Sequence, residues 1–345
     1  MNYHLHTTSL KAWDAMIRAI NSAQKSIYIE MYIFLDDTKK SHDFIGKLRS
    51  KARAGVHVII VADAYGSKEL KIEIANTIAK SGIEFIFFSH WLRHIHRKIL
   101  IVDEKIAFIG GVNIGKIYKN WTDLQLELRG RIVKKLLKSF AYTYVMAGGK
   151  NKKILGYREK KLVGKLKFWL LEHWPTRNIY TLKKHYVEKI SKASRSIQIA
   201  TPYFTPPRWL ISLLDDAVRR GAVVEILIPK TTDHPQIMNP LNYRYVDELY
   251  SLGIKFYLSK TMNHSKLLII DEEEGLIGSQ NMDLFSFGLN SEVGVFFREK
   301  KLLQELEQVF EKWKKQATKF EPKKYKMRTS DYLALALLKI FRPIL

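Results

Sequence analysis

Two eight-residue stretches carry the side chains best suited to chemistry. His96 to Asp103 reads HRKILIVD, and His264 to Asp271 reads HSKLLIID. The likeness continues downstream through GGVN, ending at Asn113, and GSQN, ending at Asn281. Both copies follow H-x-K-x4-D-x6-G-[GS]-x-N. ILIV and LLII have the apolar character of strands, where residues two apart share a face. His96 and Lys98 therefore point one way, as do His264 and Lys266. Asp103 and Asp271, seven residues from their histidines, fall off that face or past the strand end and are expected to support rather than react.

One copy lacks the parts for a reaction, whereas two copies have them. Two histidines can divide nucleophilic and acid–base work, and imidazoles titrate near neutral pH. Lys98, Lys266, Asn113 and Asn281 can surround a phosphoryl group and hold its oxygens as charge builds. The turns at Gly111 and Ser279 let backbone approach such a ligand. The two lysines supply the positive charge that a divalent ion otherwise would, so neither metal nor cofactor is expected.

The elements around these motifs also repeat. SIYIEMYIF (Ser26 to Phe34) corresponds to SIQIATPYF (Ser196 to Phe204), each after an amphipathic helical stretch. GKLRSKARAGVHVIIVAD and LLDDAVRRGAVVEILIPK each read as a helix closed by a glycine (Gly55, Gly221) and followed by a buried strand. A repeat of domain size means duplication. The alternation predicts two tandem α/β domains related by a pseudo-twofold axis, with mixed, largely parallel sheets flanked by helices. The expected units are 1–175 and 176–345.

Composition bounds the setting. The 345 residues are 46% apolar, contain no cysteine and carry a formal charge of +24. Disulfides, thiolate metal sites and cysteine nucleophiles are excluded. The charge points to polyanions, either nucleic acid or an anionic membrane face. No apolar run reaches spanning length, and the N-terminus lacks a signal-peptide pattern. From Arg129 to Trp174 there are 13 Lys/Arg against 2 Asp/Glu. Lys160, Lys161, Lys165, Phe168 and Trp169 in that stretch are expected to meet anionic lipid. Residues 331–345 form a second amphipathic candidate, with Leu337 and Phe341 on its apolar side.

The duplicated motif resembles that of the phospholipase D superfamily, and the surroundings are similar to bacterial cardiolipin synthases. Those surroundings include IYIEMYIFLDD, ADAYGS, WTDLQLELRG, IATPYFTP and GSQNMDLFSFGLNSE. The resemblance implies a ping-pong exchange through a phosphohistidine. Phosphatidylglycerol would be donor and acceptor, and glycerol would leave. It implies His96 as nucleophile and His264 as acid/base, with the reverse left open by the repeat. Glu292 resembles the family's acidic residue that orients a histidine, and Asp123 its first-half counterpart. Two departures stand out: this sequence is not expected to form the paired transmembrane helices of many relatives, and Gln125 replaces a common histidine. The expected location is peripheral, on the cytoplasmic face of the cell membrane. A nuclease or phosphodiesterase of the same superfamily, a hydrolase releasing phosphatidic acid, and a silent membrane-binding protein are the alternatives. Nucleic acid is not the expected partner, though it is not excluded, and the sequence leaves oligomeric state open.

Overall fold

A computed structural model describes residues 3–70, 72–90, 92–159 and 167–322. The expected lipid contacts Lys160, Lys161, Lys165, Leu337 and Phe341, and the stretch 331–345, lie outside the described residues.

The first sheet contains β1 (Tyr3–Thr8), β2 (Ser26–Met31), β3 (His57–Asp63), β4 (Glu84–Phe88), β5 (Lys98–Val102), β6 (Ile106–Gly110) and β7 (Thr122–Arg129), in the order β1-β7-β6-β5-β2-β3-β4. The later strands are β8 (Phe168–Trp174), β9 (Ile179–Tyr180), β10 (Ser196–Ala200), β11 (Phe204–Thr205), β12 (Val223–Pro229), β13 (Lys255–Ser259), β14 (Leu267–Ile270), β15 (Glu274–Gly278), β16 (Met282–Asp283), β17 (Glu292–Phe297) and β18 (Thr318–Lys319). The second sheet runs β18-β13-β12-β10-β14-β15-β17-β8-β9, and β11 pairs with β16 separately. Reversing the first order superposes β4-β3-β2-β5-β6-β7-β1 on β13-β12-β10-β14-β15-β17-β8. The duplication read from the motifs therefore extends to all seven strands of the first sheet and seven of the nine in the second.

Two expectations need correction. The sheets are mixed, but only β2-β3-β4 and β10-β12-β13 pair in parallel; the other pairings within these sheets are antiparallel. The reason is local. Asp103 and Glu104 (φ 51° and 56°), like Asp271 and Glu272 (φ 52° and 57°), adopt left-handed backbone. Each pair turns its motif strand straight back as a tight hairpin, with no crossover helix. The second correction concerns the first unit, expected to end at 175. β8 pairs with β17 and takes the place in the second sheet that β1 holds in the first. Its residues therefore begin the second unit.

Helical periodicity explains the outer layers. In the helix Ser9–Ser22, Ala12, Trp13, Met16, Ala19 and Ile20 recur on one face and are buried. That helix and Phe44–Arg53 cover one face of the first sheet. Helices Thr181–Lys192, Arg208–Arg219 and Pro235–Tyr250 cover the corresponding face of the second. The inner faces share one core with helices Arg131–Met146 and Lys300–Gln316, where Ile99 and Ile101 join Leu267, Ile269 and Val293. Strand alternation turns Arg97 away from its neighbours His96 and Lys98. Arg97 is fully buried, paired with Glu30 at 3.1 Å and Glu172 at 3.4 Å, hydrogen-bonded to Ser139 and stacked over Trp174. It thus ties the first motif to the second sheet. No helix among the described residues is long and apolar enough to cross a membrane.

Candidate active site

The two motifs meet where the halves touch. Short parallel bridges join Ile95 to Ser291 and Thr122 to Asn263. Through them, the His96 amide donates to the Ser291 carbonyl at 3.0 Å, and the His264 amide to the Thr122 carbonyl at 2.8 Å. The residue after each carbonyl is an acid. Glu292 accepts from His96 Nδ1 at 2.9 Å, and Asp123 from His264 Nδ1 at 2.8 Å. Each histidine is therefore held by a carboxylate from the opposite half.

The lysines fold back on their own motifs, as the two-residue spacing requires. Lys98 Nζ donates to the His96 carbonyl at 2.5 Å and lies over the Tyr32 ring at 4.9 Å. Lys266 Nζ donates to the His264 carbonyl at 2.5 Å and to its Nε2 at 2.9 Å. Among the described residues, no donor meets His96 Nε2. All four side chains are buried.

Burial and crowding set the protonation. Burial lowers both histidines; Glu292 partly offsets this at His96, whereas Lys266 and Lys98 push His264 down further. Burial and the like charge of Lys266 hold Lys98 well below the ordinary lysine range. Burial lowers Lys266 to about 8 against the pull of Asp123 and Glu292. The carboxylates differ. Burial pushes Asp123 up to about 7, despite Lys266 and the Leu124 amide. Burial also raises Glu292, but His96, Lys98 and the Ser279 hydroxyl outweigh it and keep its pKa below the usual glutamate value. Glu292 has the richer set of donors: His96 Nδ1, the Ser279 hydroxyl, and the Ser286 hydroxyl at 2.7 Å. A carboxylate so bonded keeps its charge.

Several expected residues do other work. Asp103 accepts the backbone amides of Gln24, Lys25 and Ser26, and Asp271 those of Ser194, Arg195 and Ser196. Asp103 lies five residues past Lys98 along β5, about 16 Å away. These aspartates pin a turn to the start of β2 and β10, away from the reacting side chains. Ser279 spends its hydroxyl on Glu292 and accepts the Val293 amide at 3.1 Å, so it supports the carboxylate. The Gly111 amide is taken by the Leu124 carbonyl at 2.9 Å. A Cβ at Gly111 would sit 2.2 Å from Asp123 Oδ1, so this glycine makes room for the carboxylate. Asn113 and Asn281 are buried, with side-chain oxygens that have no hydrogen-bond partner among the described residues. That leaves polar capacity for a ligand. Gln125 is fully buried and accepts the Val112 amide at 3.2 Å, a role within the fold.

The sequence reading missed Ser286 and Trp121. Ser286 touches Glu292, and its hydroxyl also accepts the Asn281 amide at 3.0 Å. Trp121 lies 5.3 Å from the His264 ring. Neither belongs to the repeated pattern that marked the histidines, lysines and asparagines.

Residues 16–141 and 186–314 match the family model described as cardiolipin synthase, PLD-like domain. A cardiolipin synthase of Geobacillus sp. (strain WCH70) is 33% identical over 315 residues, 84% of this chain. The chain spans 61% of that relative's length. A cardiolipin synthase of Clostridium perfringens (strain SM101 / Type A) is 29% identical over 96% of this chain and 75% of its own length. Among solved structures, phosphatidylserine synthase of Haemophilus influenzae Rd KW20 aligns with a TM-score of 0.79 at 16% identity, covering 99% of this chain and 93% of that one. At that identity the likeness shows the fold alone. The duplicated motif, the reversed sheet orders and the matched segments together place the chain in the cardiolipin synthase PLD-like family.

Proposed function

We propose that the chain transfers a phosphatidyl group from one phosphatidylglycerol to the glycerol hydroxyl of another, making cardiolipin and releasing glycerol. The observation that carries this reading is the crossed pairing, in which each motif histidine is oriented by the other half's carboxylate beside a buried lysine. The names of the relatives supply the cardiolipin product; the geometry supplies a site for a phosphodiester.

The steps follow from the protonation pattern. Glu292 holds the proton on His96 Nδ1, so the lone pair lies on Nε2, the atom left without a donor. His96 Nε2 attacks phosphorus, and the P–O bond to glycerol breaks as the P–N bond forms. His264 gives its Nε2 proton to the departing oxygen. His264 acquires that proton when the anionic diester arrives between Lys98 and Lys266, because a negative charge there offsets the repulsion that depresses it. In the second half, neutral His264 takes the proton of the incoming hydroxyl, which attacks phosphorus and frees His96. Lys98, Lys266, Asn113 and Asn281 hold the phosphoryl oxygens through both steps. The Lys266 contact to His264 Nε2 supports His264 as acid/base rather than nucleophile.

Purified protein incubated with phosphatidylglycerol vesicles is expected to yield cardiolipin and free glycerol by mass spectrometry. Phosphatidic acid alone would replace this reading with a hydrolase. DNA cleavage with lipid left intact would replace it with a nuclease.

The titrations set a pH profile. Asp123 is a carboxylate able to support the His264 imidazolium only above about 7, and Lys266 keeps its ammonium only below about 8. The expected kcat/KM is a narrow bell, falling on the acid side as Asp123 gains a proton and on the alkaline side as Lys266 loses one. A flat profile across about pH 6 to 10 would remove both groups from the rate.

A further inference from the structure

We propose that the edge of the molecule bearing the two histidines is itself the face that docks on an anionic bilayer, an inference that rests on the lipid reading of the site. Four large side chains are left uncovered there: Tyr65 (60% exposed), Ile117 (65%), Ile237 (54%) and Phe285 (47%). Each is tied by contact or chain position to the site or its rim. Tyr65 packs at 4.8 Å on the ring of His94, two residues before His96. Ile117 sits in the turn Lys116–Tyr118, whose Tyr118 packs on Trp121 at 4.7 Å; Trp121 in turn packs on His264. Phe285 precedes Ser286, whose hydroxyl donates to Glu292. Ile237 lies in the first turn of Pro235–Tyr250, four residues after Asp233, whose charge acts on His264. Two of the four come from each half, so the apolar tips flank the site on both sides.

The chain path explains this clustering. β3, β6, β12 and β15 all end at the edge where the halves bridge, and the turns and first helical turns that follow them carry these residues. Folding covers the strands but leaves the connections in water. Single exposed apolar residues are ordinary, but several gathered on one edge around a site mark a surface that meets another apolar phase.

Charge selects the phase. The same segments carry exposed Lys68, Lys116 and Lys230, with Glu69 as an exposed counter-charge; the loops after β13 and β2 add exposed Lys260 and Asp37. Lys68 Nζ lies 5.4 Å from the Tyr65 ring centroid. Lysines beside short apolar tips match a headgroup layer, which accepts the ammonium while the tip enters the acyl boundary. Nucleic acid would use the lysines but not the isoleucines. Edge-on docking also brings buried His96 and His264 to the depth of the phosphodiester they would attack.

Trp169, expected from the sequence to touch lipid, lies elsewhere. It pairs with Phe296, four residues along β17 from Glu292, so it sits about 13 Å from the site toward the opposite edge.

The test is flotation of the full chain with vesicles of phosphatidylglycerol in phosphatidylcholine, with pure phosphatidylcholine vesicles alongside. Ile117→Asp/Ile237→Asp is compared with Trp169→Asp, and thermal unfolding reports that each variant folds. The wild-type chain is expected on the anionic vesicles. The double variant should bind about tenfold more weakly, while Trp169→Asp binds like wild type. Equal binding by the double variant, an equal loss in Trp169→Asp, or no wild-type binding would overturn the proposal. Transfer from phosphatidylglycerol in detergent micelles separates the two ideas. Vesicle binding with no transfer would sink the proposed reaction alone, and micellar transfer with vesicle binding insensitive to the double variant would sink the docking face alone.

Discussion

Replacing either His96 or His264 by alanine is expected to lower phosphatidyl transfer about 10⁴-fold or more. The two losses should be similar in size but different in kind. Without His96 there is no atom to take the phosphatidyl group, so no acid-labile phosphohistidine forms. Without His264 the first attack lacks a proton donor for the departing glycerol oxygen, and the second lacks a base. Folding should survive both changes. Glu292 would keep the hydroxyls of Ser279 and Ser286, and Asp123 the Leu124 amide at 2.7 Å. Cardiolipin formation by mass spectrometry, with thermal unfolding as control, measures the outcome. Near-normal synthesis by either variant would rule out division of labour between two imidazoles.

Glu292→Gln carries the second large effect. The change keeps the size of the side chain and removes its charge. A glutamine amide that still accepts from Ser279 or Ser286 turns its NH₂ toward His96 Nδ1. That favours the tautomer with the proton on Nε2, where the attacking lone pair is needed. The expected loss is about 10²- to 10⁴-fold in kcat, with KM little altered, because the phosphate holders remain. Asp123→Asn should act through the other histidine and remove the acid limb of the pH profile. Single-turnover phosphohistidine formation separates the two: Glu292→Gln slows formation of the intermediate, and Asp123→Asn slows both its formation and its transfer to the acceptor. Unchanged single-turnover rates in Glu292→Gln would make the carboxylate merely structural.

The reacting side chains were legible because their constraint is local. A two-residue spacing on a strand puts His96 with Lys98, and His264 with Lys266, wherever the strand goes. The repeat announced the duplication, and the apolar periodicity located the helices and strands. The motif aspartates were legible as residues but not as turn anchors. Their work depends on backbone amides some 75 to 79 residues away in sequence. The parallel bias expected for the sheets failed because a tight hairpin and a crossover leave similar apolar runs. The distinction lies in the left-handed backbone at Asp103–Glu104 and Asp271–Glu272.

Sequence by itself therefore determined the paired histidines, lysines and asparagines of the site and the existence of two equivalent halves, since both follow from short spacings and direct repetition. Only the tertiary structure decided which carboxylate serves which histidine, where the second unit begins, and which edge presents its apolar tips. Those are contacts between residues as much as 196 positions apart, and they exist because the approach to β5 meets the approach to β17 and the start of β7 meets the approach to β14. A crossed pair of bridges sets all of this at once: it places each acid one residue past the carbonyl that receives the opposing histidine's amide.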